Sequence, residues 1–141
     1  MKIPFTKMHG LGNDFMVVDC TERDLQLRPK LIRKLSDRNF GVGFDQLLLV
    51  EKASTSEVDF HYRIFNTDGT EVEHCGNGAR CFATFVRDKG LSSNDLINVS
   101  TINRNLKLTF DDDGEISVDM GRPEFDASKI PFLCDSRLNT Y

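Results

Sequence analysis

In the stretch "HCGNGARCFATF", His74 to Phe85, a cysteine stands directly before Gly-Asn-Gly and an apolar run at helical spacing. If that run is a helix beginning near Asn77 or Gly78, Cys75 sits just before its first turn. Unpaired N–H groups and the positive end of the helix dipole converge there and favour a thiolate. Thiols so placed fall from a free value of ~8.5 to about 3.5–7.5, which makes a usable base near neutral pH. Gly76 and Gly78 remove side chains, letting a ligand carboxylate approach the same N–H donors. Asn77 adds an amide that donates to a carboxylate or accepts from an ammonium, a fit to an amino-acid backbone. Arg80 stands either as a second anion contact or as a solvated or capping side chain. From these residues alone Cys75 is open between such a base and an ordinary buried cysteine beside a glycine-rich turn.

The other cysteines offer less. Cys81 lies six residues on, about 240° around an ideal helix, and reads as core. Cys20 ends an apolar strand and Cys134 lies in the tail, both without companion chemistry. A reducing compartment argues against pairing the four, and the "HC" plus Cys81 pattern lacks the Cys-x2-Cys pairs of a structural zinc site. No metal is expected. "GNGAR" is not followed by Gly-Lys-Ser/Thr, and "HGLGND" lacks the third glycine and helix of a dinucleotide fingerprint. A Cys-His pair has three candidates in His9, His61 and His74, yet nothing places one beside Cys75, and His74, its chain neighbour, points to the opposite face of an extended backbone.

The elements that must position this loop are mostly strands. "FMVVDC", Phe15 to Cys20, reads as a buried strand after a glycine-rich loop, "HGLGNDF". "RPKLIRKLSDRNFGVG" reads as a short amphipathic helix, with Pro29 at its start, Leu31, Ile32 and Leu35 on one stripe, and Gly41 and Gly43 beyond its end. "DQLLLVEK" is a strand, and "VDFHYRIFN" alternates Val58, Phe60, Tyr62 and Ile64 against Asp59, His61 and Arg63. "NTDG" is a β-turn in which Gly69 takes positive φ. The helix after Cys75 is mostly apolar, hence buried, and ends on Gly90 as a left-handed cap. "LINVST", "NLKLTF" and "EISVDMG" are three further strands, the last two joined as a hairpin through "DDDG". This order predicts an α+β fold, an antiparallel-rich β-sheet rolled around a central helix.

At 141 residues the chain suits one domain, which buries roughly two thirds of its unfolded surface without a disulfide or metal. Residues 1–121 are read as that domain and 122–141, with Pro123 and Pro131 and no sustained periodicity, as a connecting segment. The longest apolar runs, such as Leu47 to Val50, are far too short for a bilayer, and the N-terminus lacks the apolar core of a signal peptide. A cytoplasmic protein is expected. A net charge of −4 with interspersed signs and no basic patch excludes nucleic acid and leaves a small molecule as the natural ligand.

Taken together, "KMHGLGNDF", "GFDQLL", "DFHYRIFNTDGTEVEHCGNGARCFA" and "VSTINRNLKL" resemble the N-terminal half of diaminopimelate epimerase, over Lys7 to about Gly121. Separated blocks occur in the family's order, and the Cys-Gly-Asn-Gly-Ala-Arg-Cys loop fits without a substitution. The resemblance implies a cofactor-independent isomerase of lysine and peptidoglycan precursor biosynthesis that interconverts LL- and meso-diaminopimelate. In that scheme two cysteines face the substrate α-carbon from opposite sides, one removing the proton as thiolate and the other returning it as thiol. Cys75 is one of the two. By the same resemblance Asn13, Gln46, Asn66, Gly76 and Asn77 hold the substrate's ammonium and carboxylate groups.

The family's fold implies two pseudo-symmetric domains with the site between them, and this sequence matches one. No second Cys-Gly-Ser/Thr-Gly motif is found, so the second base and half of the substrate contacts are expected from a C-terminal domain, and the 141-residue chain is expected to be inactive alone. A half-cleft leaves apolar surface that invites pairing of two copies into a homodimer. Two other readings stay open: a racemase or isomerase of another amino acid, and a non-catalytic binding module that kept the fold.

Overall fold

The computed structural model describes residues 2–133. Cys134 and the end of the 122–141 segment therefore lie outside the described residues.

The chain runs β1 (Thr6–Gly10), β2 (Asn13–Cys20), α1 (Pro29–Ser36), β3 (Gln46–Lys52), β4 (Phe60–Asn66), β5 (Glu71–Val72), α2 (Gly76–Asp88), β6 (Leu96–Ser100), β7 (Asn105–Phe110) and β8 (Ile116–Asp119). Beyond β8 a three-residue 3-10 helix, Ala127–Lys129, follows. The strands form one mixed sheet in the order β1-β2-β3-β4-β6-β7-β8, with β5 pairing β4 to the side. Among the described residues only β2/β3 and β4/β6 are parallel, and the remaining pairs are antiparallel. Helix α2 touches β1, β2, β3, β7 and β8, both outer strands of the sheet included, so the sheet curls around it. The α+β, antiparallel-rich sheet rolled about a central helix is the architecture observed.

Two apolar layers explain the two kinds of strand. Phe15, Val17, Leu48, Val50, Tyr62 and Ile64 pack with α2 in the concave core. On the other face Met16, Val18, Leu47, Leu49 and Phe65 pack with Ile32 of α1 and with Leu25 and Phe44. Strands β2 and β3 are buried on both faces and so read as unbroken apolar runs rather than alternating ones. Helix α2 carries Ala79, Phe82, Ala83, Phe85 and Val86 fully or almost fully buried. It ends as expected: Gly90 has φ 66, and the Leu91 N–H donates to the Val86 carbonyl at 2.9 Å, closing a left-handed cap.

The first hairpin differs from the sequence reading, and the two-residue β5 was not expected. "HGLGNDF" is no loop: β1 ends at Gly10, β2 starts at Asn13, and Leu11 (φ 54) with Gly12 (φ 86) forms a two-residue hairpin turn. Strand β1 lies at the sheet edge with every second residue exposed, so it lacks the apolar run that marked β2. Helix α2 also begins ahead of the expected Asn77 or Gly78, at Gly76, with Cys75 as its N-cap.

Candidate active site

Cys75 has extended backbone (φ −145, ψ 120), and its sulfur takes the capping role that a Ser, Thr or Asp oxygen usually plays. The Gly78 N–H donates to Cys75 Sγ at 3.5 Å, and the Asn13 side-chain amide donates to the same sulfur at 3.6 Å. A half-buried sulfur thus sits at the positive end of α2 with two donors aimed at it. The Ala79 N–H bonds the Cys75 carbonyl, which leaves the N–H groups of Gly76 and Asn77 unpaired among the described residues.

The two glycines of the loop do different things. A Cβ on Gly76 would meet nothing closer than Met120 Sδ at 3.8 Å and Arg80 Nη1 at 4.0 Å, so this side stays open for a ligand. A Cβ on Gly78 would fall 2.4 Å from the Tyr62 hydroxyl and 3.4 Å from Leu48 Cδ2. The expectation that both glycines admit a ligand is therefore corrected: Gly78 is buried against the core, and its missing side chain makes room for Tyr62. Arg80 also takes a definite place, since its guanidinium donates to Asn77 Oδ1 and orients that amide. Gly10, at the end of β1, lies against Asn77, its Cβ position 3.4 Å from Asn77 Cβ.

Strand register gathers the remaining amides. Asn13, Gln46 and Asn66 stand on adjacent strands at one end of the sheet, on the face that carries Phe15, Leu48 and Ile64. Gln46 and Asn66 are direct partners, and Gln46 Nε2 donates to Asn66 Oδ1 at 3.0 Å. Gln46 Oε1 is buried without a partner, an acceptor left over at this end of the face. The structure thus joins Asn13 to Cys75, and Gln46 to Asn66, in two hydrogen-bonded pairs.

Each of two candidate amides has a carboxylate neighbour in sequence, and sequence reasoning missed both. Asp14 follows Asn13 and Asp45 precedes Gln46. Arg38 bridges them, donating to Asp14 at 2.8 and 3.1 Å and to Asp45 at 2.7 Å, while the Asp14 N–H donates to Asp45 Oδ2 at 3.0 Å. Lys7 adds a further ion pair to Asp14. The Arg38 hydrogen bonds, with help from Lys7 and Asp45, hold the Asp14 carboxyl well below the usual carboxylate range. The recurring "ND" and "DQ" pairs were the available signal, unreadable without knowing that Arg38 lies between them.

The remaining described thiols are not poised for proton transfer. Burial, then Glu51 and Asp19, pushes Cys20 up to about 11, and burial raises Cys81 as well. Among the described residues no group of three or more His, Cys, Asp or Glu is arranged to hold a metal ion. No helix among them is long and apolar enough to cross a membrane.

The fold has known neighbours. A phenazine biosynthesis protein of the PhzF family from Bacillus anthracis superposes with TM-score 0.61 at 22% identity, over 84% of this chain and 40% of that one. A hydroxyproline epimerase from Agrobacterium vitis, with bound trans-4-hydroxy-L-proline, gives TM-score 0.62 at 13% identity, over 81% and 40%. A methylitaconate-delta-isomerase gives 0.61 at 16%, over 82% and 62%. The chain thus spans less than two thirds of the length of each of these structures. The family profile described as diaminopimelate epimerase matches residues 5–125. A match of that extent assigns the chain, with its curled half-barrel and its capping cysteine, to the diaminopimelate epimerase family.

Proposed function

We propose that the chain is one half of the catalytic cleft of a cofactor-independent amino-acid epimerase acting on diaminopimelate, in lysine and peptidoglycan precursor biosynthesis in the cytoplasm. The observation that carries this reading is Cys75 Sγ as the N-cap of α2, with donors from Gly78 and Asn13 and an open side at Gly76. As thiolate, Cys75 takes the α-proton of the substrate and becomes a thiol, while the electron pair passes into the α-carbon and its carboxylate. The N–H groups of Gly76 and Asn77 hold that carboxylate as negative charge develops on it. A thiol on a second domain returns a proton to the opposite face, inverting the centre, and is left as thiolate. Asn13, Gln46 and Asn66 supply amide donors and acceptors for the substrate's ammonium and carboxylate groups, with the unpartnered Gln46 Oε1 an acceptor for an ammonium.

Proton abstraction from so weak a carbon acid needs both walls of a dry cleft, so the 141-residue chain binds substrate weakly and does not turn it over. NMR titration of the chain tests the binding. Diaminopimelate is expected to shift the backbone amides of Gly76 and Asn77 and the side-chain amides of Asn13 and Gln46, at lower concentration than glutamate, lysine or proline. Shifts confined to other residues would overturn the site.

A second reading keeps the chemistry and changes the substrate. The fold neighbours include a hydroxyproline epimerase and a methylitaconate isomerase, so one scaffold serves several carbon acids. Under that reading another amino acid outcompetes diaminopimelate in the same titration.

A further inference from the structure

Tyr62 is 1% exposed, and its hydroxyl makes no hydrogen bond. A phenylalanine would fill the same space without stranding a polar group, so the oxygen calls for an explanation. Its position supplies one. The ring packs on Phe82 of α2, centroids 4.7 Å apart, while the oxygen reaches one turn back to Gly78, so the C–O bond runs toward the N-terminus of the helix. The Tyr62 oxygen and Cys75 Cβ lie 2.4 and 3.5 Å from the same point, the place a Gly78 Cβ would occupy. Gly78 itself donates to Cys75 Sγ.

The geometry points to Tyr62 as a positioning residue for Cys75, a buried hydroxyl that donates a hydrogen bond to the sulfur when it carries negative charge. The inference rests on Cys75 acting as a thiolate base. No proton leaves Tyr62 in this role: its O–H bond stays intact while Cys75 cycles between thiolate and thiol. Burial, and then the neighbouring Cys75, push the Tyr62 hydroxyl well above its ordinary value, so it remains a donor wherever the cysteine ionises. Three donors, Gly78 N–H, Asn13 Nδ2 and Tyr62 O–H, then surround the thiolate. Titratable or charged groups near the loop include Cys81 and Arg80 on α2, Glu73 and His74 before it, and His9 beside the Gly10 that packs on Asn77, and a change at Tyr62 leaves all of them in place.

The test is Tyr62→Phe in the full 141-residue chain. Alkylation by iodoacetamide is followed against pH on the peptide containing Cys75 by mass spectrometry, with urea unfolding alongside. The expected result is a pH midpoint raised by roughly one pH unit, a tenfold loss of thiolate at a given low pH, with stability retained or increased. An unchanged midpoint in a folded variant overturns the role of Tyr62. A wild-type midpoint at the free-thiol value of ~8.5 would instead remove the thiolate reading on which the inference rests, so the two failures are told apart. Gly78→Ala, which drives its methyl onto the Tyr62 oxygen, is the second variant. If it folds, its midpoint is expected to rise as well, and an unchanged midpoint counts equally against the inference.

Discussion

The side-chain amide of Asn13, the first residue of β2, donates to the sulfur of Cys75 at 3.6 Å, tying the first hairpin to the N-terminus of the central helix. Removing that donor in Asn13→Ala weakens the ionised sulfur by about 1 kcal/mol, the scale of a hydrogen bond to a charged group that is partly solvated. The pH midpoint of Cys75 alkylation is expected to rise by roughly half to one pH unit. An unaltered profile would mean that the contact has no bearing on reactivity.

Gly78 and Gly76 respond differently to the same substitution. Gly78→Ala overpacks the Tyr62 hydroxyl and costs about 1–3 kcal/mol in urea unfolding, whereas Gly76→Ala stays within about 1 kcal/mol because its side is open. In a Tyr62→Phe background the Gly78→Ala cost shrinks, a coupling that a double-mutant cycle reads directly. Equal costs for the two glycines would contradict the packing described here.

Acid sensitivity follows from Asp14. Its folded-state value lies below the unfolded one of about 3.9, so the unfolded chain binds more protons as pH falls through that range. The contribution is complete above about pH 4 and is lost below it as the carboxylate is protonated. Urea midpoints measured from pH 5 down to pH 2 are expected to fall, and to fall less steeply in Asp14→Asn. Parallel curves for the two proteins would show that the Arg38 bridge is not the acid-labile contact.

Turnover gives a fourth check. Incubation of LL-diaminopimelate with the 141-residue chain in D2O is expected to give neither inversion nor α-hydrogen exchange, read by chiral chromatography and proton NMR. Turnover that disappears in Cys75→Ala would show that one wall suffices.

How much of this was legible in the sequence depends on how local each signal is. Cys75 could be placed because a helix start is written in consecutive residues, here glycines followed by an apolar stripe, and the structure starts that helix one or two positions earlier than expected. Asn13, Gln46 and Asn66 had no local signature of chemistry and were named through family resemblance. Their neighbourhood is created by the register of β2, β3 and β4. Tyr62 was readable as an inward residue of an alternating strand, but the position of its hydroxyl depends on how α2 sits over β4, which periodicity does not encode. The edge strand β1 and the two-residue β5 escaped for a simpler reason, because half-exposed short strands bury too little apolar surface to leave a pattern.

The central claim, that Cys75 is a thiolate base at an amino-acid site, is tested most directly by alkylation of Cys75 against pH in the presence and absence of diaminopimelate. The expected result is faster alkylation at Cys75 than at a free thiol near neutral pH, little reaction at buried Cys20 and Cys81, and slower reaction at Cys75 as diaminopimelate is added. Alkylation at Cys75 no faster than at a free thiol, with a rate indifferent to diaminopimelate, would contradict it.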